Sequence, residues 1–239
     1  MIDLKVQYFQ DSPPAGRPYR EEHFIRRHVQ MELPVKQTAL VLVDLWDNHF
    51  IESWLERADR ITREAVVPVL ERARQTGLTI VHAPSPPVAE SDWLPAPFRR
   101  RQGAYASFRG PRAQPPGIPP IDALGMSPHI DVQYGEHVVA TGDQLYELLR
   151  ANGLLHLVYV GFATNWCILN RDYGMRAMAQ RGYNMILLRD ATMGVEFPDT
   201  LAAEMVTEMA IREVEQQLGF SATKDDFLAA CAGHLGCVG

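Results

Sequence analysis

The segment LLHLVYVGF at residues 154–162 is the strongest apolar run in the chain and is rich in branched side chains. A run of this kind is typical of a strand that is buried on both faces of a parallel sheet. A second such run, TALVLVD at residues 38–44, ends in a carboxylate. The two segments predict buried strands of one sheet.

Further strands and helices alternate along the chain around these two. Weaker strands are predicted at residues 78–84, 136–140 and 183–191, and helices at about 57–76, 142–152, 165–180 and 198–218, with a short one near 224–231. Strands that alternate with helices form βαβ units and therefore a mostly parallel sheet. The predicted fold is a single α/β domain over residues 1–239, a three-layer α/β/α arrangement with a Rossmann-like sheet.

Two regions lack a clear pattern. We interpret residues 1–36 as an irregular N-terminal arm, and residues 84–134 as a long loop that holds 11 of the 17 prolines. A loop of this length in a compact domain is usually functional or an interface element, although a surface excursion without a role is the alternative.

The composition narrows the classes of function. The chain has 239 residues, of which 46% are hydrophobic and 22% charged, with a net charge of −6, so it carries no electrostatic signature of a nucleic-acid partner. No apolar stretch reaches the ~18 residues of a membrane span, and the first residues lack a signal-peptide pattern. Three cysteines without paired spacing suit a reducing compartment, so the expected location is the cytoplasm.

Chemistry-bearing side chains follow the predicted strands. Asp44 ends one strand, His82 ends the next, and Cys167 follows the strand at 154–162. Ligands of open α/β sheets bind beyond the carboxyl ends of the strands, which makes all three candidates. His82 could act as a base or substrate contact, or be a satisfied structural residue.

Cys167 has two interpretations. A thiol at the start of a helix sees the positive end of the helix dipole, which lowers its pKa, and unpaired N–H groups in that turn can bind an oxyanion. Asp44 could then accept the thiol proton. The alternative is a small buried apolar residue, which is common for free cysteine.

Two segments resemble the isochorismatase-like cysteine hydrolase superfamily, which includes nicotinamidases and ureidoacrylate hydrolases. TALVLVDLWDNHF at 38–50 is similar to the first strand and turn of that family, and Gly161, Thr164 and Cys167 match its G-x-x-T-x-x-C segment. The resemblance covers about residues 36–220. It implies that Cys167 is a nucleophile and Asp44 a catalytic acid.

The same resemblance implies further features of the site. Backbone groups of Ala163, Thr164 and Trp166 would hold the oxyanion, and a cis peptide would join Phe162 to Ala163. The substrate would be a small molecule, no cofactor would be needed, and the chain would form a homo-oligomer, a dimer or a tetramer.

One member of the family's Asp–Lys–Cys triad is missing. The chain has 20 arginines but three lysines, with none between residues 37 and 223. Ala140 or Thr141 lies near the expected lysine position, and Lys36 begins a strand at the opposite edge of the sheet. The ordinary triad is therefore incomplete.

An arginine could supply the missing charge. Arg171 lies one helical turn beyond Cys167, and Arg99, Arg100 and Arg101 lie on the long loop. These positions are more typical of a helix-surface ion pair for Arg171 and of a solvated charge run for the triplet.

Other residues near the site are weaker candidates. Trp46, Phe50, Phe162 and Asn165 could contact a substrate, but ordinary packing is an equal alternative for the aromatic side chains. The Asp-x-His pair in DNH at 47–49 does not fall at the family's metal position, so no metal is expected. No glycine-rich phosphate motif occurs, which argues against a nucleotide cofactor.

Three functions remain open at this point. The first is a cysteine-dependent hydrolase of a small amide, ureido or carbamoyl C–N bond, with a thioester intermediate. The second is an isochorismatase-type hydrolase of vinyl ethers, driven by Asp44 as acid. The third is a catalytically impaired pseudo-enzyme, kept as a ligand-binding or oligomeric scaffold after loss of the lysine.

Overall fold

The structure is a computed structural model that describes residues 1–89 and 124–236. The predicted strands and helices lie within these ranges. Most of the proline-rich loop lies outside the described residues. Arg99, Arg100 and Arg101 lie outside the described residues.

An eight-stranded sheet forms the centre of the molecule, in the order β2-β1-β8-β7-β6-β3-β4-β5. The strands are β1 (Ile2–Gln10), β2 (Ile25–Leu33), β3 (Thr38–Val43), β4 (Thr79–Ala83), β5 (His137–Val138), β6 (His156–Phe162), β7 (Asn184–Met193) and β8 (Gly219–Ala222). From β8 to β5 all neighbours are parallel, and β1 is antiparallel to both of its neighbours. The predicted mostly parallel sheet is confirmed.

Helices follow the strands as the alternation predicts. They are α1 (Glu52–Ile61), α2 (Val67–Thr76), α3 (Pro86–Ala89), α4 (Gly142–Ala151), α5 (Met175–Gln180), α6 (Met205–Glu213) and α7 (Lys224–Gly236). Single π-helical turns occur at Thr62–Val66, Thr164–Ile168 and Val214–Leu218, and short 3₁₀ turns at Glu21–His23, Val35–Gln37 and Leu201–Ala203. Within the part of the chain that the structure describes, no helix is long and apolar enough to cross a membrane.

Two hydrophobic cores lie on opposite faces of the sheet. Every side chain of β3 is buried, with Leu40 and Leu42 in one core and Val41 and Val43 in the other. Successive side chains of a strand point to opposite faces, so a strand covered on both sides must be apolar at every position. This explains the unbroken apolar run in the sequence.

The N-terminal arm is not irregular, and this interpretation of the sequence was wrong. β1 and β2 pair over nine residues, from Ile2 opposite Leu33 to Gln10 opposite Ile25. Ile2 and Leu4 are buried while the intervening Asp3 is exposed, which is the two-residue alternation of a half-buried strand. The arm therefore extends the sheet by two antiparallel strands.

The predicted helix at 165–180 is confirmed in two pieces, residues 164–170 and α5, and the chain breaks between them at residues 171–174. Gly174 ends the break, and a Cβ atom there would lie 2.9 Å from the carbonyl oxygens of Arg171, Cys167 and Ile168. Tyr173 is fully buried, and its hydroxyl donates to the Pro84 carbonyl at 3.3 Å. The break turns the segment around Arg171 toward the end of β4.

Candidate active site

The ends of β3 and β6 approach each other more closely than ordinary side chains allow. Gly161 has a φ of +110°, and a Cβ atom there would lie 2.0 Å from the Val43 carbonyl oxygen. Only glycine fits this conformation and this contact. The approach brings the turn that carries Asp44 beside the turn that carries Cys167.

Asp44 is a fully buried polar residue at this edge. It is 0% exposed, and its φ of +45° places it in the left-handed region, which is unusual for a residue other than glycine. The Ser85 hydroxyl donates to Asp44 Oδ1 at 2.8 Å, and Arg171 Nη2 lies 3.5 Å from Oδ2. Arg171 Nη2 also donates to Ser85 Oγ at 2.9 Å. These three side chains form one connected polar group.

Cys167 lies in the π-helical turn Thr164–Ile168 and is 9% exposed. Burial, and after it the Asp44 charge, raise the pKa of its thiol to about 12, against an opposing effect of the Arg171 charge. Burial likewise raises the pKa of Asp44, against the lowering effects of the Arg171 charge and of the nearby Cys167 and Ser85 side chains. The thiol is therefore protonated at rest and interacts with the carboxyl group.

The expected lowering of the thiol pKa by a helix dipole was wrong. Cys167 lies inside a short helical segment, residues 164–170, rather than at the start of a long helix, so few aligned peptide dipoles act on it. Burial is the larger effect. Any activation of this thiol has to come from neighbouring side chains.

Arg171 points into the site rather than to the surface. Its side chain is 18% exposed and lies 3.5 Å from the buried Asp44 carboxylate, so it is not the solvated side chain of a helix surface that its sequence position favours. The helix break at residues 171–174 explains the difference. The guanidinium provides a fixed positive charge beside Asp44 and Cys167, where the sequence lacks a lysine.

The positions near which a lysine was expected serve other purposes. Thr141 caps α4, with its hydroxyl accepting from the Gln144 N–H at 3.3 Å, and Ala140 is buried. The Gly142 N–H donates to Asp172 Oδ2 at 2.8 Å, which ties the start of α4 to the helix break. Lys36 directly precedes β3, so it lies at the amino-terminal end of that strand, away from the candidate site, as expected.

Ser85 was missed in the sequence analysis. It is 4% exposed and lies two residues beyond β4, at the edge where ligands of such sheets bind. The available signal was a small polar residue just after a strand end. The proline-rich context SPP made it look like ordinary loop.

The backbone around Cys167 only partly matches the expected oxyanion donors. The N–H groups of Trp166 and Ile168 both donate to the Ala163 carbonyl, at 3.0 and 3.2 Å. Trp166 N–H is thus engaged within the turn, and the N–H groups of Ala163 and Thr164 stay as candidates. The Thr164 hydroxyl is buried and hydrogen-bonded to Thr192 Oγ1 at 2.7 Å, so it links β6 to β7.

Phe162 and Asn165 have structural contacts. Phe162 is buried edge-on against Trp54, with ring centroids 5.7 Å apart, and its peptide bond to Ala163 is cis, as the resemblance implied. Asn165 Oδ1 accepts from the Val195 N–H at 3.0 Å, which holds the loop after β7. Both contacts are structural, and neither supports the predicted role of these side chains in binding a substrate.

Aromatic side chains next to Asp44 form a cluster. The His49 ring is stacked against Trp46 and Phe50, with ring centroids 5.5 and 4.5 Å apart, and its Nδ1 accepts from the Ile51 N–H. Phe50 is 38% exposed and Trp46 is partly exposed, so these two rings can contact a ligand. Trp166 is 41% exposed on the Cys167 turn.

The Asp-x-His pair has a structural role. Asp47 Oδ1 accepts from the Gly125 N–H at 2.7 Å, and Trp46 pairs with Met126, so this turn anchors the chain that follows the long loop. Among residues 1–89 and 124–236, no group of three or more His, Cys, Asp or Glu side chains could hold a metal ion.

His82 is not brought to Cys167. Val81 and Ala83 pack in the same core as Cys167, so His82, between them on β4, faces the other side of the sheet. There His82 Nε2 lies 2.7 Å from Glu136 Oε2. Of the two roles considered, the structural one fits this contact, although His82 Nδ1 is buried with no hydrogen-bond partner among the described residues.

Fold and site together define a class: α/β proteins with a thiol and a carboxyl group at the carboxyl edge of a parallel sheet. Residues 38–225, most of the chain, match the Isochorismatase domain. The chain belongs to the isochorismatase family.

Similar proteins were found by sequence and by structure. The chain is 33% identical over 82 residues to the ureidoacrylate amidohydrolase RutB of Rhizobium rhizogenes, and 32% identical over 84 residues to that of Variovorax paradoxus. These matches cover 34% and 35% of this chain, and they span only 30% of the length of either relative.

Two solved structures share the fold. A cysteine hydrolase from Pseudomonas syringae pv. phaseolicola aligns with a TM-score of 0.58 and 16% identity, over 84% of this chain and 95% of that one. An isochorismatase family protein from Burkholderia thailandensis aligns with a TM-score of 0.58 and 20% identity, over 82% and 96%. The homo-oligomer and the cytoplasmic location stay predictions of the sequence.

Proposed function

We propose that this chain is a cysteine-dependent hydrolase that cleaves a C–N bond of a small amide, ureido or carbamoyl compound. The observation that carries the proposal is the meeting of Cys167, Asp44 and Arg171 at one buried edge of the sheet. A nucleophile, a proton acceptor and a fixed positive charge are the groups that acyl transfer requires.

The first half-reaction forms a thioester. Asp44 accepts the thiol proton as Cys167 Sγ attacks the carbonyl carbon, and the negative charge that develops on the carbonyl oxygen is held by the N–H groups of Ala163 and Thr164. Asp44 then transfers the proton to the leaving nitrogen, and the C–N bond breaks. The amine or ammonia leaves, and the acyl group stays on sulfur.

The second half-reaction releases the acid. Water attacks the thioester carbonyl while Asp44 takes a proton from the water, and the C–S bond breaks. The thiolate of Cys167 regains this proton from Asp44. The site returns to its resting state with a neutral thiol, and one water has been consumed.

Arg171 contributes charge and no proton transfer. An arginine side chain stays protonated in proteins, so this residue cannot shuttle the proton. Its guanidinium, 3.5 Å from Asp44 Oδ2, favours the ionised carboxylate and the thiolate that forms during attack. A positive charge at this position supports an enzyme over the scaffold function that the missing lysine suggested.

The curated relatives support the kind of bond. Both are ureidoacrylate amidohydrolases, although the match spans a minor part of either protein. Ureidoacrylate therefore belongs in the first set of compounds to be tested.

The decisive experiment compares two cysteines. Ammonia release is measured with ureidoacrylate and a panel of small primary amides, for the wild type, Cys167→Ala and Cys231→Ala. Cys231 is also free and buried but lies on α7. We expect Cys167→Ala to lower kcat/KM by at least about 10³-fold and Cys231→Ala to leave it unchanged. Equal turnover by Cys167→Ala and the wild type would refute the thioester route.

One observation favours a second candidate, the acid-driven hydrolysis of a vinyl ether. Burial raises the pKa of Asp44, which suits a carboxyl group that donates a proton. In that case Asp44→Asn would be inactive while Cys167→Ala would still turn over isochorismate. Loss of turnover in both variants supports the amidohydrolase, which needs the thiol as well as the carboxylate.

A further inference from the structure

We propose that Ser85 is a positioning residue of this site, because its hydroxyl joins Asp44 to Arg171 and leaves one chosen carboxylate oxygen to receive the Cys167 proton. This inference rests on the proposed function. Ser85 itself touches no reacting atom in the scheme above.

The direction of the two hydrogen bonds at Ser85 follows from their chemistry. A guanidinium has donors only, so Ser85 Oγ must accept from Arg171 Nη2, at 2.9 Å. A hydroxyl has one proton, and this proton is donated to Asp44 Oδ1, at 2.8 Å. Ser85 therefore relays the polarity of Arg171 to one defined oxygen of Asp44.

The two oxygens of Asp44 are made different by this contact. Oδ1 is occupied by the Ser85 hydroxyl, whereas Oδ2 accepts no hydrogen bond from the described residues. Arg171 lies 3.5 Å from Oδ2, well beyond the 2.7–2.9 Å of a charge-assisted hydrogen bond. Oδ2 is thus the oxygen left to accept the thiol proton.

The backbone holds Ser85 in place from the other side. The N–H groups of Val88 and Ala89 both donate to the Ser85 carbonyl, at 2.8 and 3.0 Å. A change of the side chain therefore removes the hydroxyl link while the local chain path is kept.

A positioning role has a signature in the pH profile. A donated hydrogen bond stabilises the ionised carboxylate, so loss of the hydroxyl raises the pKa of Asp44. Because Asp44 must be ionised to accept the thiol proton, the acid limb of kcat/KM then moves to higher pH. A residue that only fills space would not move this limb.

The test uses Ser85→Ala, with Ser127→Ala as a matched control. Ser127 is equally buried, and its hydroxyl accepts one long hydrogen bond, 3.4 Å, from the His129 N–H. With ureidoacrylate as substrate, we expect Ser85→Ala to lower kcat about 10- to 100-fold with little change in KM, and to shift the acid limb upward. Ser127→Ala should leave both kcat and the pH profile as in the wild type.

Ser85→Thr keeps the hydroxyl and separates chemistry from packing. It should restore the pH profile to that of the wild type, with melting temperatures measured for every variant. If Ser85→Ala is slow but its acid limb is unmoved, or if Ser85→Thr is equally impaired, the role is structural and the inference fails.

A second measurement needs no substrate. Iodoacetamide alkylation of Cys167, followed by mass spectrometry of its peptide across pH, reports how well Arg171 favours the thiolate. Ser85→Ala should react more slowly than the wild type at a given pH, since Arg171 loses its hydrogen bond to Ser85 Oγ. Equal rates would overturn the inference. If Ser85→Ala is alkylated more slowly, as expected, but the wild type turns over no substrate, the result counts against the proposed function and not against this inference.

Discussion

Two carboxylates, the partly buried Glu136 and the fully buried Asp44, each lie beside an arginine, and their pairing differs. Glu136 Oε1 accepts a hydrogen bond from Arg74 Nε at 2.6 Å, and Glu136 Oε2 lies 2.7 Å from His82 Nε2. Although burial opposes it, these hydrogen bonds lower the pKa of Glu136 to about 2. Its charge is fully matched, which is the arrangement of a structural ion pair.

Asp44 is the contrasting case. Its arginine, Arg171, stands 3.5 Å away and is linked through Ser85, so burial prevails and the pKa of Asp44 is raised. A carboxyl group whose two protonation states lie closer in free energy can take up and release a proton during a reaction. Incomplete pairing, rather than burial or an adjacent arginine, therefore distinguishes the candidate catalytic carboxylate.

The largest expected effect comes from exchanging each carboxylate for its amide. Asp44→Asn should lower kcat/KM by about 10³- to 10⁴-fold, because an amide cannot accept the thiol proton. Glu136→Gln should leave kcat within about threefold of the wild type. Among the described residues, Glu136 pairs with His82, Arg74 and its own loop, and none of these belongs to the candidate site. Steady-state kinetics on both purified variants would test the contrast, and a larger loss from Glu136→Gln would reverse the assignment.

An intermediate effect is expected at Arg171. Arg171→Met should lower kcat by about 10²-fold, because the carboxylate and the forming thiolate lose their nearest positive charge. Arg171→Lys keeps the charge but loses the planar fork, so a loss of about tenfold is expected.

The matched control for Arg171 is Arg176→Met. Arg176 lies five residues further on, its side chain is 42% exposed, and it pairs with Glu213. Turnover of this control should stay within about twofold. If Arg171→Met behaved like Arg176→Met, the guanidinium would have no part in catalysis.

The smallest expected effect concerns stability. Glu136→Gln should lower the free energy of unfolding by about 2 kcal/mol at neutral pH, the typical value of a hydrogen bond to a charged group. The pKa of Glu136 is lowered on folding, so its contribution is present above pH 4.5 and is lost as the pH falls to about 2. Urea denaturation at pH 7 and pH 3 would show the difference between variant and wild type shrink at the lower pH.

The sequence predicted what depends on local pattern. The apolar runs identified β3 and β6 within two residues at either end, and the motif spacing singled out Asp44 and Cys167. Both signals are short-range, because a doubly buried strand must be apolar at each position.

The rest depends on contacts between distant parts of the chain. Ser85 and Asp44 are 41 residues apart, and nothing in SPP indicates that this hydroxyl meets a carboxylate. The inward direction of Arg171 depends on the helix break, which requires Tyr173 to reach Pro84 across 89 residues. β1 differs, because its signal is local: the alternation of Ile2, Leu4 and Val6 is typical of a half-buried strand. The prolines that follow it are typical of irregular chain and conceal that pattern.

The helix break also changes how the site is distributed along the chain. Cys167 and Arg171 lie four residues apart on one short stretch, and the Arg171 N–H donates to the Cys167 carbonyl at 3.2 Å. The candidate nucleophile and its neighbouring cation are thus carried by one continuous segment of the chain. A lysine after β5 would instead depend on how α4 docks against the rest of the molecule. A substitution that loosens α4 leaves the thiol-to-guanidinium spacing intact, and a graft of residues 164–174 into a related fold would carry both groups together.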